Sequence, residues 1–238
     1  MTDAHLVSAP GRTLAEKVYE TIKTDLLSGE LVAGSALLTR DLLERYGSGI
    51  SPLREALARL VGEQLLEATG HRGVRVPLFS ADDLEDIYRI RIALEREALG
   101  LAMKRGDDEW EGAILAAGHR LEKAPLPETA GDTRLAVTAW EARHRAFHTS
   151  LISAAPAPRL LRLIAQMVDQ TERYRALRLA FGDQGKLSRD IVSEHRALME
   201  AVIGRDPTAP DLLARHLDRT CRMVASMLRK AGTRGGRG

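Results

Sequence analysis

Apolar residues recur at helical spacing along most of this chain, and each interruption has a nameable cause. Leu14, Val18, Ile22 and Leu26 form a first stripe, opened by Thr13 as a cap and closed by Ser28 and Gly29. Leu42, Leu43 and Tyr46 form a shorter one. Gly47, Ser48 and Gly49 then break the period, since two glycines within three residues favour a tight corner over a helix. Ser51 follows as an N-cap with Pro52 at the first helical position, and Leu53, Leu57, Leu60 and Val61 supply a new inward stripe. The prediction over Thr39 to Leu66 is helix, turn, helix. Beyond it, LLEAT and VRVP flank Gly70, His71, Arg72 and Gly73, the pattern of a two-stranded hairpin with a basic tip.

From Ser80 onward the spacing predicts helices at about 80–104, 107–122, 133–153, 157–181, 187–204 and 208–230, broken by prolines and glycines, and no strand. Short connections between six such helices predict an antiparallel bundle. The fold class is therefore mainly α: an N-terminal winged helix-turn-helix domain over residues 1–78, then a six- or seven-helix bundle over 79–230. Residues 1–12 read as a flexible arm, and 231–238 as a disordered basic tail.

Composition changes this picture in two places. Of 238 residues 44% are hydrophobic but only 4% aromatic, which suits helices packed through aliphatic side chains. The net charge is +2, and residues 1–78 hold nine Lys or Arg against ten Asp or Glu. Affinity for nucleic acid would then rest on a local basic face of Arg40, Arg54, Arg72 and Arg59. Cys221 is alone, and no signal peptide or apolar run of about 18 residues is present, so a reducing, cytoplasmic setting without a membrane is expected.

A helix-turn-helix reads DNA by laying its second helix in the major groove, N-terminal residues at base edges and dipole toward phosphate. Ser51, Pro52 and Arg54 occupy that turn, and His71, Arg72 and Gly73 form a tip able to reach a minor groove. Periodicity alone equally allows an ordinary αα-hairpin inside a larger bundle; the hairpin that follows favours the DNA-reading version. The stretch Leu14 to Val76, with AEKVYETIKTDLLSGEL, PLREAL and RGVRV, resembles the winged-helix domain of the GntR family of bacterial transcription regulators. Two positions depart from that family's pattern: Ile50 stands where many members carry a base-reading arginine, and Gln64 where a glycine usually ends the recognition helix.

In the bundle, His144 and His148 are four apart in line with Trp140 and Leu151, His195 lies between Ile191 and Leu198, and His216 lies with Leu213 and Leu217. A single inward histidine is most often a satisfied core residue. Four on three helices are a candidate site for a divalent metal, and imidazole suits zinc, nickel and cobalt alike. Arg91 lies on the inward stripe of its helix and needs an anion: Glu95 one turn on, or a ligand carboxylate gripped by two parallel hydrogen bonds. Tyr88 and Arg173 are candidates to line the same cavity.

The segments IYRIRIALEREAL, HRAFHTSL, SEHRALMEAVIGRD and ARHLDRT, in this order, resemble the all-helical effector-binding domain of the FadR subgroup of GntR regulators. The resemblance implies a metal, zinc or nickel first, held by an aspartate and three histidines. His148, His195 and His216 match those histidines, and His144 takes the aspartate's place. It implies repression relieved by a ligand. A divalent ion and the inward Arg91 in one cavity predict that this effector is a small carboxylate, and a homodimer with one recognition helix per subunit predicts an inverted-repeat DNA operator. The competing class is a helical metalloenzyme acting on a small acid. HRAFH lacks the glutamate that a metal-bound water needs as general base in HExxH, so no enzyme is expected.

Overall fold

The computed structural model describes residues 13–70, 73–125, 133–181 and 190–235. Helix α1 (Leu14–Leu27) opens with a reciprocal cap. Glu16 N–H donates to Thr13 Oγ1 at 3.1 Å and Thr13 N–H donates to Glu16 Oε2 at 2.8 Å, satisfying donors that a first turn cannot pair internally. Val18, Tyr19, Ile22 and Leu26 are buried. Leu14, expected on the same stripe, is 56% exposed; helical side chains lean toward the N-terminus, so at the first position it reaches past the packed face.

Helix α2 (Thr39–Tyr46) ends on Gly47 in the left-handed region at φ 56°, and α3 (Ile50–Gly62) follows. The predicted cap is corrected here. Gly49, extended and without a side-chain bond, is the N-cap of α3, and its carbonyl accepts from Leu53 N–H at 3.3 Å. Ser51 and Pro52 thus lie inside the first turn, where a missing N–H costs no helical bond. Leu53, Leu57 and Leu60 face inward as the spacing required, and Val61 is half-buried.

A strand that periodicity did not reveal, β1 (Ala36–Leu38), joins β2 (Glu67–Ala68) and β3 (Gly73–Arg75) in an antiparallel sheet of order β1-β3-β2. Three residues are too few for alternation to register. Leu38 pairs with Gly73, whose φ is 146° and where a Cβ would stand 2.2 Å from the Leu37 carbonyl oxygen, so the sheet itself demands glycine there.

Among the described residues the second compact unit carries six helices: α4 (Ala81–Arg105), α5 (Asp108–Glu122), α6 (Thr133–Ile152), α7 (Pro158–Phe181), α8 (Ile191–Ile203) and α9 (Ala209–Gly235). Ser80, Asp107 and Asp190 cap α4, α5 and α8, each accepting the N–H three residues on. Asp190 starts α8 at Ile191, later than the spacing suggested. Helix α9 runs through Gly235 and so takes in 231–235, expected as tail; with no proline to stop it, an established helix adds one bond per residue. Helix α4 packs against α6, α7 and α9 around a core that includes Leu84, Leu99, Phe147, Leu151, Leu213 and Val224. Among the described residues no helix is long and apolar enough to cross a membrane.

Helix α3 ends in a Schellman turn: Leu65 N–H donates to the Leu60 carbonyl at 3.0 Å, and Gln64 N–H to that of Val61 at 3.0 Å. Gln64 is held at φ 59°, a left-handed conformation costing a residue with a Cβ about 1 kcal/mol. Gln64→Gly is therefore expected to stabilise the protein by about 1 kcal/mol in urea unfolding; unchanged or reduced stability would show that the turn carries no strain.

Candidate metal centre and nucleic-acid interface

Three helices bring the four bundle histidines together. His144 and His148 come from α6, His195 from α8 and His216 from α9, all buried, and one nitrogen from each lies within 4.8 Å of the others. The ring centroids are 4.5 to 6.4 Å apart. His148 Nε2 is 3.4 Å from His195 Nε2, close to the separation of about 3.4 Å for two nitrogens bound about 2.1 Å from one tetrahedral ion. Trp140 stacks on His144 at 4.7 Å, and Phe147 packs edge-on against His148 and His195. The donor set and its geometry fit a divalent metal.

One carboxylate bridges two of these helices at the edge of the cluster. Glu194 Oε2 lies 3.0 Å from His216 Nδ1, while Glu194 Oε1 accepts from Arg219 Nη1 at 3.1 Å. Glu194 directly precedes the metal-site candidate His195 in the chain. Its carboxylate crosses from α8 to α9, turning away from its neighbour His195, as adjacent helical residues do. Cys221 takes no part: burial pushes its thiol up to about 11, leaving it protonated at neutral pH.

Beside His148 is a cavity of about 200 Å³ whose wall includes Glu95, Arg145, Thr149, Ile152 and Ile164. Arg91 lies behind that wall. Its side chain is 1% exposed, with Nε donating to Glu95 Oε1 at 2.5 Å and Nη1 to Thr171 Oγ1 at 2.8 Å. Of the two partners open to Arg91 in the sequence, the structure shows Glu95. Tyr88 is buried with its ring under the Arg91 guanidinium at 5.4 Å, and Arg173 lies over Phe79 at 5.4 Å. Sequence reasoning missed Arg145, whose Nε donates to Glu172 at 2.7 Å and whose Nη2 donates to Asp169 at 2.5 Å. No sequence signal marked it, since a residue one step from an inward histidine is turned about 100° away on the helix.

In the first unit Ser51, Arg54 and Glu55 are exposed on the outer face of α3, with Ile50 49% exposed at its start and Pro52 half-buried. Arg40 is exposed and bonded to Asp41 at 2.8 Å. Arg59 belongs to the scaffold instead: its guanidinium is 3.7 Å from the Tyr19 ring centroid, and its Nε donates to Glu63 at 3.1 Å. His71 and Arg72 lie outside the described residues; Gly73 is the β3 residue fixed by Leu37.

Comparison with known proteins decides the family. Residues 14–76 match the family of bacterial regulatory proteins named gntR, and residues 86–219 match the FCD domain. The chain is a GntR-family transcription regulator. The GntR chain is 34% identical over 214 residues to the HTH-type transcriptional regulator BphR of Paraburkholderia xenovorans, covering 90% of this chain and 86% of that one. It is 33% identical over 201 residues to the HTH-type transcriptional repressor GlaR of Escherichia coli, covering 84% and 90%. Its fold is similar to that of E. coli McbR/YncC, with a TM-score of 0.77 at 23% identity over 92% of this chain and 100% of that one. The family is one of transcription regulators, not enzymes.

The Arg91–Glu95 pair gives a test of the buried electrostatics. Arg91→Met leaves a buried carboxylate without its guanidinium and is expected to cost about 3–5 kcal/mol, whereas Arg91→Met with Glu95→Met costs much less. Equal losses in the two variants, by chemical denaturation, would remove the pairing as a stabilising unit.

Proposed function

We propose that this GntR regulator binds an inverted-repeat operator as a homodimer, represses from it, and is released by a small carboxylate bound beside a divalent metal, zinc or nickel, in the bundle. The observation that carries this reading is the convergence of four buried imidazoles next to a cavity of about 200 Å³. His148, His195, His216 and His144 would hold the ion, and a bound ion would supply the positive charge that draws a carboxylate into the cavity. Arg91, Tyr88 and Arg173 are assigned to the effector's surroundings. Arg91 is already matched by Glu95, and Arg145 by Asp169 and Glu172. An anionic effector therefore depends chiefly on the metal, and a contact with Arg91 requires displacing Glu95.

At the DNA, Arg54, Ser51 and Pro52 on the first turns of α3, with Arg40 nearby in sequence and the wing residues His71, Arg72 and Gly73, make the proposed contacts. Two recognition helices related by two-fold symmetry call for a palindromic site. The repressor mode is supported by the likeness to GlaR, a repressor by name.

A gel shift on the DNA upstream of the gene tests the reading, with zinc and a panel of mono- and dicarboxylates as additions. Arg54→Ala is expected to weaken operator binding by about 1–3 kcal/mol and to relax discrimination at one base; unchanged affinity removes the assignment. Zinc is expected to raise the melting temperature, since a ligand of the folded state alone stabilises it. A chelator is expected to lower that temperature and abolish release by carboxylates. Release by the same acids from metal-free protein would overturn the metal's role.

A further inference from the structure

We propose that Glu141 and Glu194 are positioning carboxylates of the metal centre, and that Glu141 supplies through His144 the negative charge that the imidazole shell lacks. The proposal rests on the metal reading above. Four neutral imidazoles leave a divalent ion with its whole charge inside a helical bundle, where an uncompensated charge is costly. The structure places a carboxylate behind two of the four rings. Glu194 Oε2 is 3.0 Å from His216 Nδ1, and Glu141 Oε2 is 3.8 Å from His144 Nδ1. Glu141 is 3% exposed and one turn before His144 on α6.

Both carboxylates face the same ring atom. A proton held on Nδ1 toward a carboxylate leaves Nε2 as the lone-pair donor, so Glu194 selects the tautomer and orientation of His216, and the charge of Glu141 favours the same tautomer of His144. His148 and His195 already present Nε2 to each other at 3.4 Å. All four rings are then consistent with one shell of Nε2 donors. The two contacts differ in kind: Glu194 is within hydrogen-bond distance, whereas Glu141 at 3.8 Å acts through charge. Glu194 is also held by Arg219, which fixes the carboxylate across the α8–α9 gap.

On this account an imidazole can occupy position 144 because a carboxylate stands one turn away at 141. The relation makes the two residues interdependent. With aspartate at 144 the carboxylate joins the shell directly, and Glu141 becomes a like charge beside it.

The test is zinc affinity of the full-length protein, measured by competition with a chelating dye, for wild type, Glu141→Gln, Glu194→Gln, His144→Asp and the double variant His144→Asp with Glu141→Gln. Each single Gln variant is expected to bind zinc about 10–100-fold more weakly. On the His144→Asp background, Glu141→Gln is expected to cause no loss, a sign that a merely structural Glu141 would not give. Circular dichroism checks folding; if Glu141→Gln does not fold, the double variant and Glu194→Gln decide. If wild type binds no zinc, the metal reading fails and this inference with it. If wild type binds and both Gln variants match it, only the positioning role falls. An equal loss from Glu141→Gln in both backgrounds likewise overturns the link to His144.

Discussion

Four imidazoles sharing one small volume are the constraint around which the bundle is arranged. Each ring carries two nitrogens that must meet a proton, an acceptor or an ion, and none of the four side chains is left at the surface. An apolar interior would accept any aliphatic residue of similar size with less cost. Holding four histidines there requires α6, α8 and α9 to keep their rotation and height relative to one another. Trp140 and Phe147 pack against the rings from the apolar side, and Glu194 reaches across from α8 to α9.

The buried charges around this cluster are matched at short range. Arg91 is paired with Glu95 one turn away on α4 and bonded to Thr171 of α7. Arg145 uses both edges of its fork on two α7 carboxylates one turn apart, Asp169 and Glu172. The Arg91–Thr171 bond and the Arg145 pairs tie α4 and α6 to α7 through directional contacts, whose value is specificity of packing more than net stability, because desolvation offsets much of the attraction. They also alter an expectation from sequence. An inward guanidinium looked like an attractant for an anion, but a guanidinium with its own carboxylate contributes little net charge.

The helical stripes, the turn at Gly47 and the converging histidines could all be found in sequence, because periodicity fixes which face of a helix is buried. Four features could not. Strand β1 is too short to show alternation, and its pairing with β3 is non-local. The start of α3 depended on one residue's backbone angles, which Ser51 and Pro52 misstate because both are also tolerated inside a first turn. The partner of Arg91 was ambiguous because spacing puts Glu95 within reach but does not exclude a ligand. Arg145 was missed because a charged residue between two inward positions reads as solvent-facing, whereas its guanidinium lies against α7.

The DNA-reading unit shows the same competition for arginines. The sequence offers a modest supply of positive charge in residues 1–78, and the fold withdraws part of it. Arg59, on the recognition helix itself, stacks on Tyr19 of α1 and pairs with Glu63, whose other oxygen accepts the Tyr19 hydroxyl at 2.6 Å. That network locks the C-terminal half of α3 to α1. Ser51 and Arg54 lie at the opposite, N-terminal end, where the helix dipole favours phosphate. Ile50 beside them is 49% exposed and apolar. One end of the helix is committed to the scaffold, and the other presents the Arg54 guanidinium, the Ser51 hydroxyl, the Glu55 carboxylate and the aliphatic Ile50. On the proposed DNA reading, the exposed aliphatic side chain of Ile50 would complement a thymine methyl.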